Sequence, residues 1–175
     1  MSSNGNLPTE AMLDEALAHA LLEQPEFSAW FLDRTKFRGE QARCVFCRSE
    51  NPWSTVRLER CDSVSGKVEV SVEQCETDVL AVFETQDRRR LALHIENKLA
   101  GGSFTQLQPE LYGARISQWK GRPKLGQYDD GTTVLVAPRA FYERNRVDAD
   151  KFETYVSHED IAERISVFGT APRRV

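Results

Sequence analysis

The stretch Thr77–Lys98, TDVLAVFETQDRRRLALHIENK, decides how the chain is read. Val79, Ala81 and Phe83 alternate on one side, and Leu91, Leu93 and Ile95 do the same. The polar run Glu84–Arg90 separates them, which predicts a β-hairpin. With the turn centred on Asp87, Leu80 lies across from His94, Val82 from Ala92 and Asp78 from Glu96. Side chains alternate with period two, so Asp78, Glu96 and Lys98 share one face, and the wholly apolar opposite face is expected to be the core side. Directly opposed like charges destabilise a sheet. Two opposed carboxylates with a lysine nearby are ordinarily reconciled by a divalent cation or a shared proton.

After the hairpin the chain breaks at Gly101-Gly102, and a helix opened by Ser103 or Gln106 is expected to run to about Trp119. Its regular part is expected to begin near Gln108, with Pro109 in the first turn. Leu107, Leu111 and Ala114 are read as its core stripe. Gln108, Tyr112, Arg115 and Trp119 form a second stripe, expected to face the strand ends that carry Asp78 and Glu96. Thr133–Ala137 reads as a strand ended by Pro138, and Ser157–Asp160 as a capping box opening a last helix to about Val167. Before the hairpin, Thr9 is placed to cap a helix reaching Gln24, and Pro25 to start a second that buries Phe27, Trp30 and Phe31. Thr35–Pro52 shows no sustained period and reads as loop with short structured pieces. Trp53–Leu58 and Lys67–Val72 read as strands that join the hairpin in an antiparallel meander. Residues 1–8 are expected to be a disordered leader, 9–168 a single domain and 169–175 a flexible tail.

Composition bounds the function. A chain of 175 residues can bury a substantial core. No apolar run approaches a membrane span, and MSSNGNLPTE lacks the basic and apolar regions of a signal peptide, so a cytoplasmic protein with no membrane partner is expected. The net charge is −4, which argues against a protein that coats nucleic acid. Yet Arg88–Arg146 carries eleven Lys/Arg against five Asp/Glu, a local surplus suited to an anionic substrate. Cys44-x-x-Cys47 has zinc-ligand spacing, but Cys61 and Cys75 are not a second close pair, so packed thiols are favoured over zinc. His94 falls on the carboxylate face and is read as a half-buried residue rather than a ligand. No Ser-His-Asp triad, phosphate-cradling Gly loop or dinucleotide fingerprint is visible.

ETD (Glu76–Asp78), IENK (Ile95–Lys98) and QPELY (Gln108–Tyr112) together resemble the PD-(D/E)xK nuclease superfamily, in the branch whose following helix carries a Gln-x-x-x-Tyr signature. The likeness covers roughly residues 65–140 and departs from the pattern in lacking the proline often found shortly before the Asp. The resemblance implies an α/β restriction-endonuclease-like core, an antiparallel β-meander plus a further strand flanked by helices. It implies that Asp78, Glu96 and the backbone carbonyl of Asn97 hold Mg²⁺, with Mn²⁺ able to substitute. Lys98 would orient the attacking water and meet developing charge, and Gln108 and Tyr112 would flank the site. Arg115, with Gln108 and Tyr112, would contact substrate, although an ion pair of Arg115 with Glu110 is an equal reading. The first helix of such proteins often lends an acidic residue, for which Glu15 is preferred over Glu10 or Glu23. The expected function is Mg²⁺-dependent hydrolysis of phosphodiesters, with DNA as partner and a homodimer compatible. The alternative is a catalytically inactive nucleic-acid- or protein-binding module that keeps the fold.

Overall fold

The structure, a computed structural model, describes residues 7–171. Residues 1–6 of the expected leader and 172–175 of the expected tail lie outside them. The chain opens with α1 (Glu10–Glu23), whose N-terminus Thr9 caps by accepting from the Met12 N–H at 3.3 Å. The helix α2 (Pro25–Leu32) follows with its proline in the first turn. The strands are β1 (Ala42–Arg48), β2 (Trp53–Cys61), β3 (Val68–Glu76), β4 (Val79–Thr85) and β5 (Arg90–Asn97). Next come α3 (Gln108–Gln118), a 3-10 turn at Pro123–Leu125, and β6 (Asp130–Ala137). The short elements α4 (Arg139–Arg144), α5 (Arg146–Ala149), β7 (Thr154–Ser157), α6 (His158–Ala162) and α7 (Val167–Thr170) complete the fold.

A mixed five-stranded sheet in the order β1-β4-β5-β6-β7 forms the centre, and β2 and β3 pair with each other in a separate antiparallel ribbon. The β4–β5 hairpin has the expected register, with Leu80 across from His94 and Val82 from Ala92. Beyond it the pairing turns parallel, β5 to β6 and β6 to β7, with α3 lying in the crossover between β5 and β6.

The expected meander is therefore corrected. Both faces of β4 and β5 are buried, so the face carrying Leu80, Val82 and His94 is as much core as the other. Near-continuous apolar runs such as VLAVF belong to strands covered on both sides, whereas β2 and β3 alternate apolar with charged residues and suit a ribbon covered on one. The place beside β4 goes instead to β1, inside the stretch read as loop. A bulge between Cys44 and Phe46 breaks the period-two pattern there, which is why the strand escaped detection. The same bulge puts Cys44 across from Phe83 and Cys47 across from Ala81, so both thiols face the core built by α1 and α2.

One core layer packs α1, α2 and the C-terminal helices on the Val79/Ala81/Leu93/Ile95 face. The other packs Trp119, Tyr128, Val56 and Leu58 on the Leu80/Val82/Ala92 face. The single last helix is replaced by α6 and α7. Ser157 caps α6 as expected, accepting from the Asp160 N–H at 3.0 Å. No helix among the described residues is long and apolar enough to cross a membrane.

Candidate functional site

At the end of the hairpin where β4 begins and β5 ends, Asp78, Glu96 and Lys98 come together. Asp78 accepts the Asn97 backbone N–H through Oδ2 at 2.7 Å. Its own N–H donates to the Tyr112 hydroxyl at 3.3 Å, and that hydroxyl donates to the Ile95 carbonyl at 3.2 Å. Thr77, fully buried, also donates to the Ile95 carbonyl, at 3.1 Å. These bonds pin the backbone on either side of the carboxylates. Glu96 is buried, and its Oε1 accepts from Lys98 Nζ at 2.5 Å and from Gln108 Nε2 at 2.6 Å. Its other oxygen, Oε2, is buried with no hydrogen-bond partner.

The helix stripes exchange roles relative to expectation. Tyr112, Arg115 and Trp119 are buried, whereas Leu111 and Ala114 are only partly covered. Gln108 and Tyr112 still reach the carboxylates, so one stripe both fills the core and positions the site. Tyr112→Ala should therefore cost about 3–5 kcal/mol, the scale for emptying a buried aromatic position, and Leu111→Ala less than about 2 kcal/mol. Urea denaturation of both variants checks this. A larger loss for Leu111 would return it to the core stripe.

Arg115 does not pair with Glu110, which takes Lys151 at 2.7 Å. Its guanidinium lies fully buried over the Tyr112 ring, 3.2 Å from the centroid, and donates to the Glu76 carbonyl. His94 is corrected from half-buried to fully buried. It bonds the Tyr128 hydroxyl at 3.1 Å, and burial pushes its pKa well down.

On the first helix it is Asp14 that is buried against the end of β5, whereas Glu15 is exposed. Asp14 Oδ1 accepts from Asn97 Nδ2 at 2.7 Å, and Asn97 Oδ1 meets His158 Nε2 at 2.8 Å. The Asn97 side chain thus ties α1 to α6 through the strand that carries Glu96. Glu10, one turn before Asp14, accepts the Leu99 N–H at 3.2 Å. The signal was present in the sequence. Asp14 lies on the arc of Leu17, Ala18 and Leu21, an aspartate inside an apolar stripe. His158 and Thr77 carried no such signal.

The electrostatics are those of crowded carboxylates. Burial, then the charge of Glu96, raises the pKa of Asp78 to about 8, against the Asn97 N–H bond and Lys98. Burial raises Asp14 to about 7, opposed by its Asn97 bond and reinforced by Glu10 and Glu96. For Lys98 burial works downward, but Glu96 and Asp78 outweigh it, so the pKa is raised and the ammonium stays charged. Folded-state values above the ordinary 3.8 mean that the stabilising contribution of Asp14 and Asp78 is complete below that range. It is lost as pH rises through about 7 and about 8. Asp62, Glu84 and Asp87, held low by hydrogen bonds from Ser65, Arg90 and Thr85, titrate below this window. Fully buried His94, whose pKa is pushed well down, works the other way below its ordinary 6.5. Melting temperature in chelator should therefore fall most clearly between about pH 6.5 and pH 8. A profile rising over that range would mean both carboxylates are ionised and satisfied.

Among the described residues no group of three or more His, Cys, Asp or Glu side chains is gathered to hold a metal ion. What is present is a hard-oxygen donor set of two carboxylates, one with an orphaned buried oxygen, beside a third carboxylate and one ammonium. Mg²⁺, which keeps several waters and needs only one or two protein carboxylates, fits such a set, displacing the protons that burial holds on it. No protein-family model, no curated protein and no solved structure matches the chain.

Proposed function

We propose that this chain is a metal-dependent nuclease with a restriction-endonuclease-like core, hydrolysing phosphodiester bonds of nucleic acid, with DNA as the expected substrate. The observation that carries the reading is the buried Glu96, held by Lys98 and Gln108 with Oε2 left bare, beside Asp78. Burying two carboxyls in one place opposes the ionisation of Asp78, and a divalent cation bound there would offset that cost.

In this reading Asp78 and Glu96, with the Asn97 carbonyl, would hold Mg²⁺, and Mn²⁺ could replace it. Bound there, the ion supplies Lewis-acid polarisation of a phosphoryl oxygen and a water acidic enough to attack. Lys98, charged and eleven per cent exposed, would orient an attacking water and meet negative charge developing on the phosphate. Gln108 fixes the Glu96 carboxylate, while Tyr112 and Thr77 lock the backbone beside Asp78 and Glu96. Asp14, through Asn97, holds the end of β5 against α1.

The inactive-module reading has one observation on its side. Glu96 Oε1 is already occupied by Lys98 and Gln108, so the ammonium by itself balances part of the charge a cation would balance. A cleavage panel of single- and double-stranded DNA and RNA, with Mg²⁺, Mn²⁺ or chelator, separates the two. Metal-dependent degradation supports the nuclease, and retention of uncut nucleic acid with every metal supports the module.

A further inference from the structure

A cavity of about 320 Å³ opens beside this site, between the end of the β2–β3 ribbon and α3. Gln108, whose amide touches Glu96, lines it, so the cavity and the carboxylates share a wall. Trp53 stands at its mouth, 64% exposed, on a ribbon end that carries the indole away from the core. Leu111 and Cys75 give it an apolar lining, and Arg115 lies at its floor.

Arg115 is the unexplained group. It is fully buried, yet no carboxylate lies within ion-pair distance of it among the described residues. Glu76 meets it through the backbone carbonyl, its side chain being exposed. Burial pushes the neighbouring Cys75 thiol up despite the pull of Arg115, so no thiolate balances the charge. The Nη1 donor is used on Glu76, but Nε and Nη2, the pair that forms a two-pronged fork, are buried with no oxygen acceptor. The side chain beside the guanidinium is the weakly accepting, neutral Cys75 thiol. A buried ion left unbalanced costs several kcal/mol, and the Tyr112 and Trp119 rings offset only part of it. An anion entering the cavity would offset part of that cost, against the exposed Glu76 that shares the lining.

Resting on the nuclease reading of the adjacent carboxylates, we infer that this cavity is a subsite for one unpaired nucleotide flanking the scissile phosphate. The Trp53 indole stacks on its base, and the charge of Arg115 draws in its phosphate. The volume lies at the low end of small-ligand cavities, room for a single nucleotide and not for a paired, stacked helix. The substrate class that follows is single-stranded nucleic acid or a frayed strand end.

The test uses the full chain in chelator, where cleavage is off, with binding followed by calorimetry. The probes are a short oligothymidylate, a blunt duplex, thymidine 5′-monophosphate and thymidine. Oligothymidylate and the monophosphate should bind the native chain, with thymidine and the duplex at least about tenfold weaker. Trp53→Ala should weaken oligothymidylate about tenfold, the scale of one lost base stack. Arg115→Lys should keep monophosphate binding that Arg115→Gln loses, read only where the variant melts like the native chain. Exposed Trp53 carries the test if the Arg115 variants misfold. Binding by Trp53→Ala within about twofold of the native chain, or thymidine binding as tightly as its monophosphate, overturns the subsite. The two readings fail separately. Cleavage with Mg²⁺ but no Trp53 dependence sinks the subsite alone, and Trp53-dependent binding without cleavage in any metal sinks the nuclease alone.

Discussion

Asp78→Asn should abolish cleavage while making the metal-free protein more stable than the native chain above neutral pH. Asparagine keeps the shape, and its side-chain oxygen can still accept the Asn97 N–H now bound at 2.7 Å. What it removes is a carboxylate that burial and Glu96 hold up at about 8, a group whose ionisation opposes folding. The gain should be on the order of 1 kcal/mol, the scale of a cross-strand pair, and should vanish near pH 4, where the native carboxyl keeps its proton. Excess Mg²⁺ should raise the melting temperature of the native chain by mass action and do much less for the variant. Paired melts in chelator and in Mg²⁺ test the site without any assay of turnover. A variant less stable than the native chain in chelator, with an unchanged response to Mg²⁺, would mean that Asp78 and Glu96 do not share a site.

Lys98→Met should cut turnover by about 100-fold or more, the scale of losing one charge partner of the transition state. The burial of the pair adds a cost that Glu-x-Lys spacing does not disclose. Glu96 is one per cent exposed and its lysine partner eleven, so removing the ammonium strands a carboxylate in the interior. Breaking a buried pair from one side costs about 3–5 kcal/mol, and chelator should show that loss in full. Mg²⁺ should recover much of it, because a cation at Glu96 replaces the missing charge. Turnover within about twofold of the native chain would remove Lys98 from the mechanism, and an unchanged melt in chelator would show the pair to be solvated.

The hairpin register was legible because two apolar alternations flank one polar turn, and a slip by one residue would turn every side chain to the wrong face. Asp78, Glu96 and Lys98 followed from that register alone. Sheet order was not legible. Whether β4 pairs with β1 or β3 depends on which strand tolerates burial on both faces, and the bulge in β1 hid the better partner. The acidic residue of α1 failed by one position. A single step around a helix is about 100°, enough to move from Asp14 in the core to Glu15 in solvent. The burial of His94 and Arg115 depended on α3 closing over the sheet, which local pattern cannot report.

Asn97 joins residues 83 positions before it and 61 after it. The hairpin that carries the carboxylates is local and can form early, but contacts that distant close late, after the entropy of large loops has been lost. A chain still on the ribosome, with His158 not yet emerged, therefore has its carboxylates in register and its support incomplete. Activity during refolding should lag behind hairpin formation. If the nuclease reading holds, this order of assembly would keep a half-made chain from cutting before its support is in place.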